Sequence, residues 1–188
     1  MTTHHSFNRV FDRLKAVGDW EAISNLSLRR LKSIIKDAGL SGQKGPRIRA
    51  ILKRSLRDFG RATLDPLKTM SDDDAMRYLT ALPGVGVKTA KCVLMYSLKR
   101  RVLPVDTHGL RVARRLGLVP AQATRADVHW HLEQVVMPDD RYAFHVNVIE
   151  HGRKVCLPLR PRCGMCPLSG ACSHARGLRS SQRLVRQT

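Results

Sequence analysis

The chain is predicted to be all-α, and three observations carry that prediction. Apolar residues recur at the three-to-four-residue spacing of a helix in almost every segment. Residues suited to capping a helix stand before these segments, and glycine follows several of them. No stretch of useful length alternates apolar with polar residues, and no internal repeat is present. With 188 residues the chain can bury one good core, or two small lobes sharing a cleft.

Taken in order, MTTHHSFNRVFDRLK has no apolar signal core and does not read as a secretory leader. In SLRRLKSIIKDAG (27–39), Ser27 can cap, Leu28, Leu31 and Ile35 share a face, and Gly39 stops the helix. Over 46–60, Ile48, Ile51, Leu52, Leu56 and Phe59 form a buried stripe among Arg and Lys. SDDDAMRYLTAL offers Ser71 as cap and acids in the first turn, which the helix dipole favours. Residues 87–98 and 107–116 make two more helices, the second ended by Gly117. Thr124 and Asp139 begin the last two long ones, near 125–136 and 140–151. After Cys156 the texture turns loop-like, LPLRPRCGMCPLSGAC, and 173–188 carries four arginines and no acid. A solvated terminus and a DNA-contacting arm fit that tail equally.

Lys and Arg number 34 against 15 Asp and Glu, leaving +19 and a pI near 10.9. Such a surplus repels itself unless a polyanion shares the surface, which makes nucleic acid the leading partner. An anionic membrane is disfavoured, because no basic helix shows a Trp- and Phe-lined face. No run of uncharged apolar residues is long enough for a membrane span. The cations are spread through RRLKSIIK, QKGPRIRAILKRSLR, KRR and RVARR, a footprint suited to a duplex backbone rather than to sequence readout.

Four of five cysteines crowd near the C-terminus: Cys156, Cys163, Cys166 and Cys172, spaced C-x6-C-x2-C-x5-C. Disulfides are disfavoured without a sign of export. Zinc sites usually pair two close doublets, and only Cys163 and Cys166 form one here. An iron–sulfur cluster needs four thiolates around a larger inorganic core, and unequal loops with Pro161, Gly164 and Pro167 permit that wrapping. Spacing alone leaves cluster and zinc both open. Cys92 stands apart in an apolar helix and reads as a small buried hydrophobe.

LPGVGVKTA (82–90) places Gly84 and Gly86 in a turn that feeds a helix. Both glycines permit positive φ and bare backbone N–H groups, a fit to a DNA phosphate. Between two helices the pattern is that of a helix–hairpin–helix, with Leu82, Pro83, Gly84, Val85, Gly86 and Thr89 as DNA-binding candidates. Lys88 is either one more phosphate contact or a nucleophile. Partial burial, a helix start and neighbouring cations would all lower its pKa, and a neutral amine there could attack a deoxyribose C1′. In VLPVDTHGLRVARRLG, Asp106 can cap the helix from Thr107 and also stabilise a developing sugar cation.

Together, LPGVGVKTA, PVDTHGLRVARRLGL, EHGRKVC and the four-cysteine loop resemble the endonuclease III family of helix–hairpin–helix DNA glycosylases. IIKDAGLSGQKGPRI extends the resemblance more loosely towards the N-terminus. It implies a two-lobed helical fold with the DNA cleft between lobes: residues 1–101 form a barrel lobe carrying the hairpin motif (about 72–98), and 102–176 a second lobe with the cluster loop 156–172. Residues 177–188 are then a basic tail. By the same resemblance Lys88 is the Schiff-base nucleophile, Asp106 its acidic partner, and Cys156, Cys163, Cys166 and Cys172 the ligands of a 4Fe–4S cluster. Leu40 is a wedge entering the duplex. The adenine-specific branch has no lysine at position 88, so its presence implies a bifunctional glycosylase and abasic-site lyase, acting mostly on oxidised pyrimidines flipped from the stack. The resemblance also implies a monomer, cytoplasmic and nucleoid-associated in a bacterium. The family's usual N-terminal helices, which supply a gap-filling glutamine, have no counterpart before MTTHHSFNRVF, and Thr80 stands where some relatives carry an acid. Two other readings stand beside this one: a non-catalytic or regulatory DNA-binding protein, and a mismatch or modified-cytosine glycosylase. The second arises because VKTAKCV also resembles the plant demethylase branch.

Overall fold

The structure, a computed structural model, describes residues 4–120 and 122–178. The arginines of the basic tail beyond Leu178 lie outside those residues. All regular structure among the described residues is helical. The chain separates into two compact units, Met1–Gly86 and Val87–Thr188. The division falls earlier than the expected 101/102 boundary; Lys91, just after the glycine turn, is ion-paired with Glu133 in the second unit.

The first unit contains α1 (His4–Lys15), α2 (Trp20–Asn25), α3 (Leu28–Ile35), α4 (Ser41–Phe59) and α5 (Asp72–Thr80). Side chains close the helix starts: Asp19 accepts from the Ala22 N–H, Ser27 from Arg30 and Ser71 from Asp74. Val10, Ile23, Leu31, Ile34 and Ile35 form the core, with Ile48 and Leu52 of α4 packed on it. Each fully buried side chain of this kind contributes about 1.5–3 kcal/mol. α4 departs from expectation in two ways. It begins at Ser41, well before 46, and holds Pro46 inside; the Gly42 carbonyl therefore lacks its intrahelical partner. Leu56 is 36% exposed rather than buried. Ser55 is buried in its stead, because the chain folds back and the Ser55 hydroxyl donates to the Thr63 carbonyl at 2.5 Å.

The second unit contains α6 (Val87–Cys92), α7 (Thr107–Leu116), α8 (Arg125–Val135) and α9 (Arg141–Lys154). The single helix expected over 87–98 is not continuous: after Cys92 it widens into a π turn, Val93–Ser97, where the Leu98 N–H reaches the Val93 carbonyl. Cys92 is half-buried rather than buried. Gly117, at φ 83, ends α7 as expected, and Thr124 with Asp127 forms a capping box for α8. A 3-10 turn, Pro138–Asp140, precedes α9, so that helix starts at Arg141. The core gathers Leu103, Ala113, Val119, Val128 and Leu132. α7 and α9 approach closely, since a Cβ on Gly152 would lie 2.9 Å from the His108 Cβ. No helix among the described residues is long and apolar enough to cross a membrane.

Candidate catalytic and nucleic-acid site

In the first unit the turn after α5 is closed by a Val85 N–H to Leu82 carbonyl bond of 3.1 Å. Gly84 adopts φ 75, which an L side chain rarely tolerates. Pro83, Gly84 and Gly86 are exposed and Val85 is half-buried. Leu82, at 4% exposure, anchors the turn in the core. Gly86 has neither positive φ nor a neighbour that a Cβ would meet. What its missing side chain provides is bare backbone. A residue the sequence did not single out lies over this turn. A Cβ on Gly84 would sit 2.4 Å from Arg47 Cδ, so the guanidinium stem crosses the glycine at van der Waals contact. Leu40, the expected wedge, is 67% exposed and held at φ 54, ψ 32, its carbonyl accepting from the Gln43 and Lys44 N–H groups.

Lys88, Thr89 and Asp106 belong to the second unit. Lys88 and Thr89 are exposed in the first turn of α6, so the partial burial expected of Lys88 is not found. Asp106 is half-buried and caps α7, Oδ1 accepting from the Gly109 N–H at 2.8 Å. The capping expectation holds. Both charges act on one buried group, His145, whose Nδ1 lies 2.8 Å from the Pro104 carbonyl. Burial pushes the His145 imidazole below its ordinary value; the Pro104 hydrogen bond and the Asp106 carboxylate oppose this, and the Lys88 ammonium adds to it. Tyr96 completes the neighbourhood. It packs edge-on against Tyr142 and His145 at 5.9 and 5.8 Å. Burial, then Cys92, Tyr142 and Asp106, push its hydroxyl up. Cys92, one α-helical turn beyond Lys88, shares its side of α6.

Asp106 is reached through an irregular segment, 101–106, whose backbone groups are met by side chains. The Leu103 N–H donates to Glu133 Oε1 at 2.7 Å, and the Leu103 carbonyl lies 3.1 Å from His129 Nδ1. Arg141 Nη1 donates to the Arg101 carbonyl at 2.5 Å. Glu133 Oε2 also pairs with Lys91 at 2.7 Å, their side chains 20% and 11% exposed. These polar groups escaped the sequence reading because one buried lysine looks like any other cation in so basic a chain.

Cys156, Cys163, Cys166 and Cys172 all line one concave pocket, together with Arg115 and His151. Arg115 donates to Cys156 Sγ at 3.3 Å and to the Leu157 and Pro158 carbonyls. Cys166 Sγ lies 3.7 Å from His151 Nε2, and burial pushes that imidazole down. Among the described residues no three His, Cys, Asp or Glu side chains converge as a single metal ion requires. Four thiols lining one pocket are a donor set that fits an iron–sulfur cluster.

Residues 2–138 match the family model of the HhH-GPD superfamily base excision DNA repair proteins, and the chain belongs to that family. It is 31% identical over 184 residues to DEMETER-like protein 2 of Arabidopsis thaliana, covering 89% of this chain and 14% of that protein. With Endonuclease III of Thermotoga maritima it shares 33% identity over 147 residues, 78% of this chain and 64% of that one. The chain thus spans a small part of the plant relative and just under two thirds of the bacterial one. A solved non-covalent Endonuclease III–DNA complex matches the fold with a TM-score of 0.79 at 27% identity, over 95% of this chain and 80% of that chain. The fold is that of endonuclease III.

Proposed function

We propose that the chain is a DNA glycosylase with abasic-site lyase activity that acts on duplex DNA through Lys88. The observations that support this most are an exposed amine in the first turn of α6 and a half-buried carboxylate capping α7, in a chain of the HhH-GPD family. In the proposed reaction the Lys88 amine, once it has given up a proton, attacks C1′ of an extruded deoxyribose and the C1′–N bond breaks, its electrons leaving with the base. The Asp106 carboxylate stabilises the cationic sugar as it forms and accepts a proton. Ring opening gives the Schiff base, and loss of a C2′ proton expels the 3′ phosphate. The exposed turn with Arg47, and a net charge of +19, support contact with the phosphate backbone.

Cys156, Cys163, Cys166 and Cys172 would hold a 4Fe–4S cluster, which when bound supplies a rigid cross-link to the loop and no part of bond cleavage. The substrate class is an oxidised pyrimidine. A second reading, excision of a modified cytosine, draws on the VKTAKCV segment and on the similarity to DEMETER-like protein 2. A panel of duplexes carrying oxidised pyrimidines, 5-methylcytosine, a thymine mismatch or one abasic site, assayed with and without borohydride, tests both readings. A covalent adduct with abasic DNA is expected, and its loss in Lys88→Ala. Undiminished adduct in that variant removes Lys88 from the role. Salt-sensitive binding without strand nicking on any duplex would leave a DNA-holding protein instead.

A further inference from the structure

We infer that Lys91 and Glu133 form a positioning strut that sets the distance between the helix bearing Lys88 and the segment bearing Asp106; this rests on the catalytic reading of those two residues. Three features of the second unit motivate it. α6 is only six residues long before the backbone widens into the π turn, so the helix by itself fixes the Lys88 turn weakly. Segment 101–106 has no ladder or helix to hold it, and Pro104 has no N–H to give. Glu133 spans both: one oxygen accepts from the Leu103 N–H at 2.7 Å, and the other pairs with Lys91, one helical turn beyond Lys88, at 2.7 Å.

The pair is costly as a stabiliser, because taking two charges out of water offsets most of their attraction, and apolar residues of similar size would hold the fold as well. What an apolar pair would lack is direction. A carboxylate with both oxygens engaged fixes two partners at defined angles, whereas apolar contacts slide. His129, buried beside the pair, donates from Nδ1 to the Leu103 carbonyl, in the peptide that follows. Leu103 is therefore clamped from both its polar groups, three residues before Asp106.

The test uses the full chain and the variants Lys91→Met, Glu133→Gln, the two combined, and the conservative Lys91→Arg. The probes are a duplex with a single abasic site, for the first-order rate of borohydride-trapped adduct at saturating protein, and a duplex with a tetrahydrofuran site, for affinity. Lys91→Met and Glu133→Gln are each expected to slow adduct formation about tenfold or more while Kd stays within about twofold. The double variant should be no slower than the worse single one, and Lys91→Arg should recover most of the rate. Amide exchange over 101–106 should accelerate in Lys91→Met although Leu103 keeps its acceptor. Unchanged rates in folded variants, fully additive losses, or unchanged exchange would each overturn the strut. No adduct from the unaltered chain would instead defeat the lyase reading, and the exchange measurement would still decide the strut.

Discussion

Replacing Gly84 by alanine joins stability and DNA contact in one experiment. The residue sits at φ 75, and forcing an L side chain there costs about 1–2 kcal/mol. The added Cβ would also stand 2.4 Å from Arg47 Cδ, 2.8 Å from Nε and 3.1 Å from Cζ, so the arginine must swing away. With a urea slope of about 2 kcal/mol/M, the denaturation midpoint should fall by roughly 0.5–1 M. Displacing one guanidinium from a phosphate should weaken duplex binding at low salt and reduce the logarithmic salt slope by about 1. Urea denaturation and fluorescence anisotropy over a salt series read the two effects separately. Arg47→Ala alone should lower the salt slope without a comparable loss of stability. Adding Gly84→Ala to it should then cost only the backbone strain, and binding no further. A Gly84→Ala variant with wild-type midpoint and salt slope would refute both the strained turn and the placement of Arg47 over it.

Other outcomes follow from the second unit. Asp106→Asn keeps an acceptor for the Gly109 N–H and should cost only a few tenths of a kcal/mol, whereas Asp106→Ala should cost about 1 kcal/mol. Both should slow base excision by on the order of 100-fold or more, and wild-type turnover in Asp106→Asn would remove the carboxylate from the chemistry. Burial holds His129 and His145 below their ordinary value, so on acidification the unfolded chain binds protons before the folded one. Stability should therefore be fully present above about pH 6.5 and fall as the pH drops below it, and denaturation at pH 7.5 and 5.5 should show a smaller difference in His129→Gln and His145→Gln. An undiminished difference in both variants would reject that origin. Anaerobically purified protein should be brown with iron and sulfide in equal amounts, and Cys163→Ser should lose both; one zinc in a colourless protein would replace the cluster.

Much of this fold was legible because it is written locally. Ser27, Ser71, Asp106 and Thr124 cap the helices they precede, since a cap depends on residues three positions away. Features that depend on distant chain were not. Nothing around Cys92 announces that α6 widens into a π turn, and Leu56 obeys the helical stripe yet faces solvent because residues 61–63 cover Ser55 instead. The site divided the same way. Lys88 and Asp106 stood out by their motifs, whereas Arg47, Lys91, Glu133 and His145 acquire meaning only from partners 30 to 42 positions away, or, for Arg47, from the turn folded beneath it.

The Asp106 cap has a consequence for how such a chain changes over generations. One side-chain oxygen answers to the start of α7 whatever the protein is used for, so selection for folding alone would retain Asp or Asn at that position. Lys88, solvent-facing at the head of a short helix, answers to no comparable folding demand. A lineage that abandoned excision would lose the lysine to drift long before the aspartate, and a descendant keeping only the latter would be a relic of folding rather than of repair.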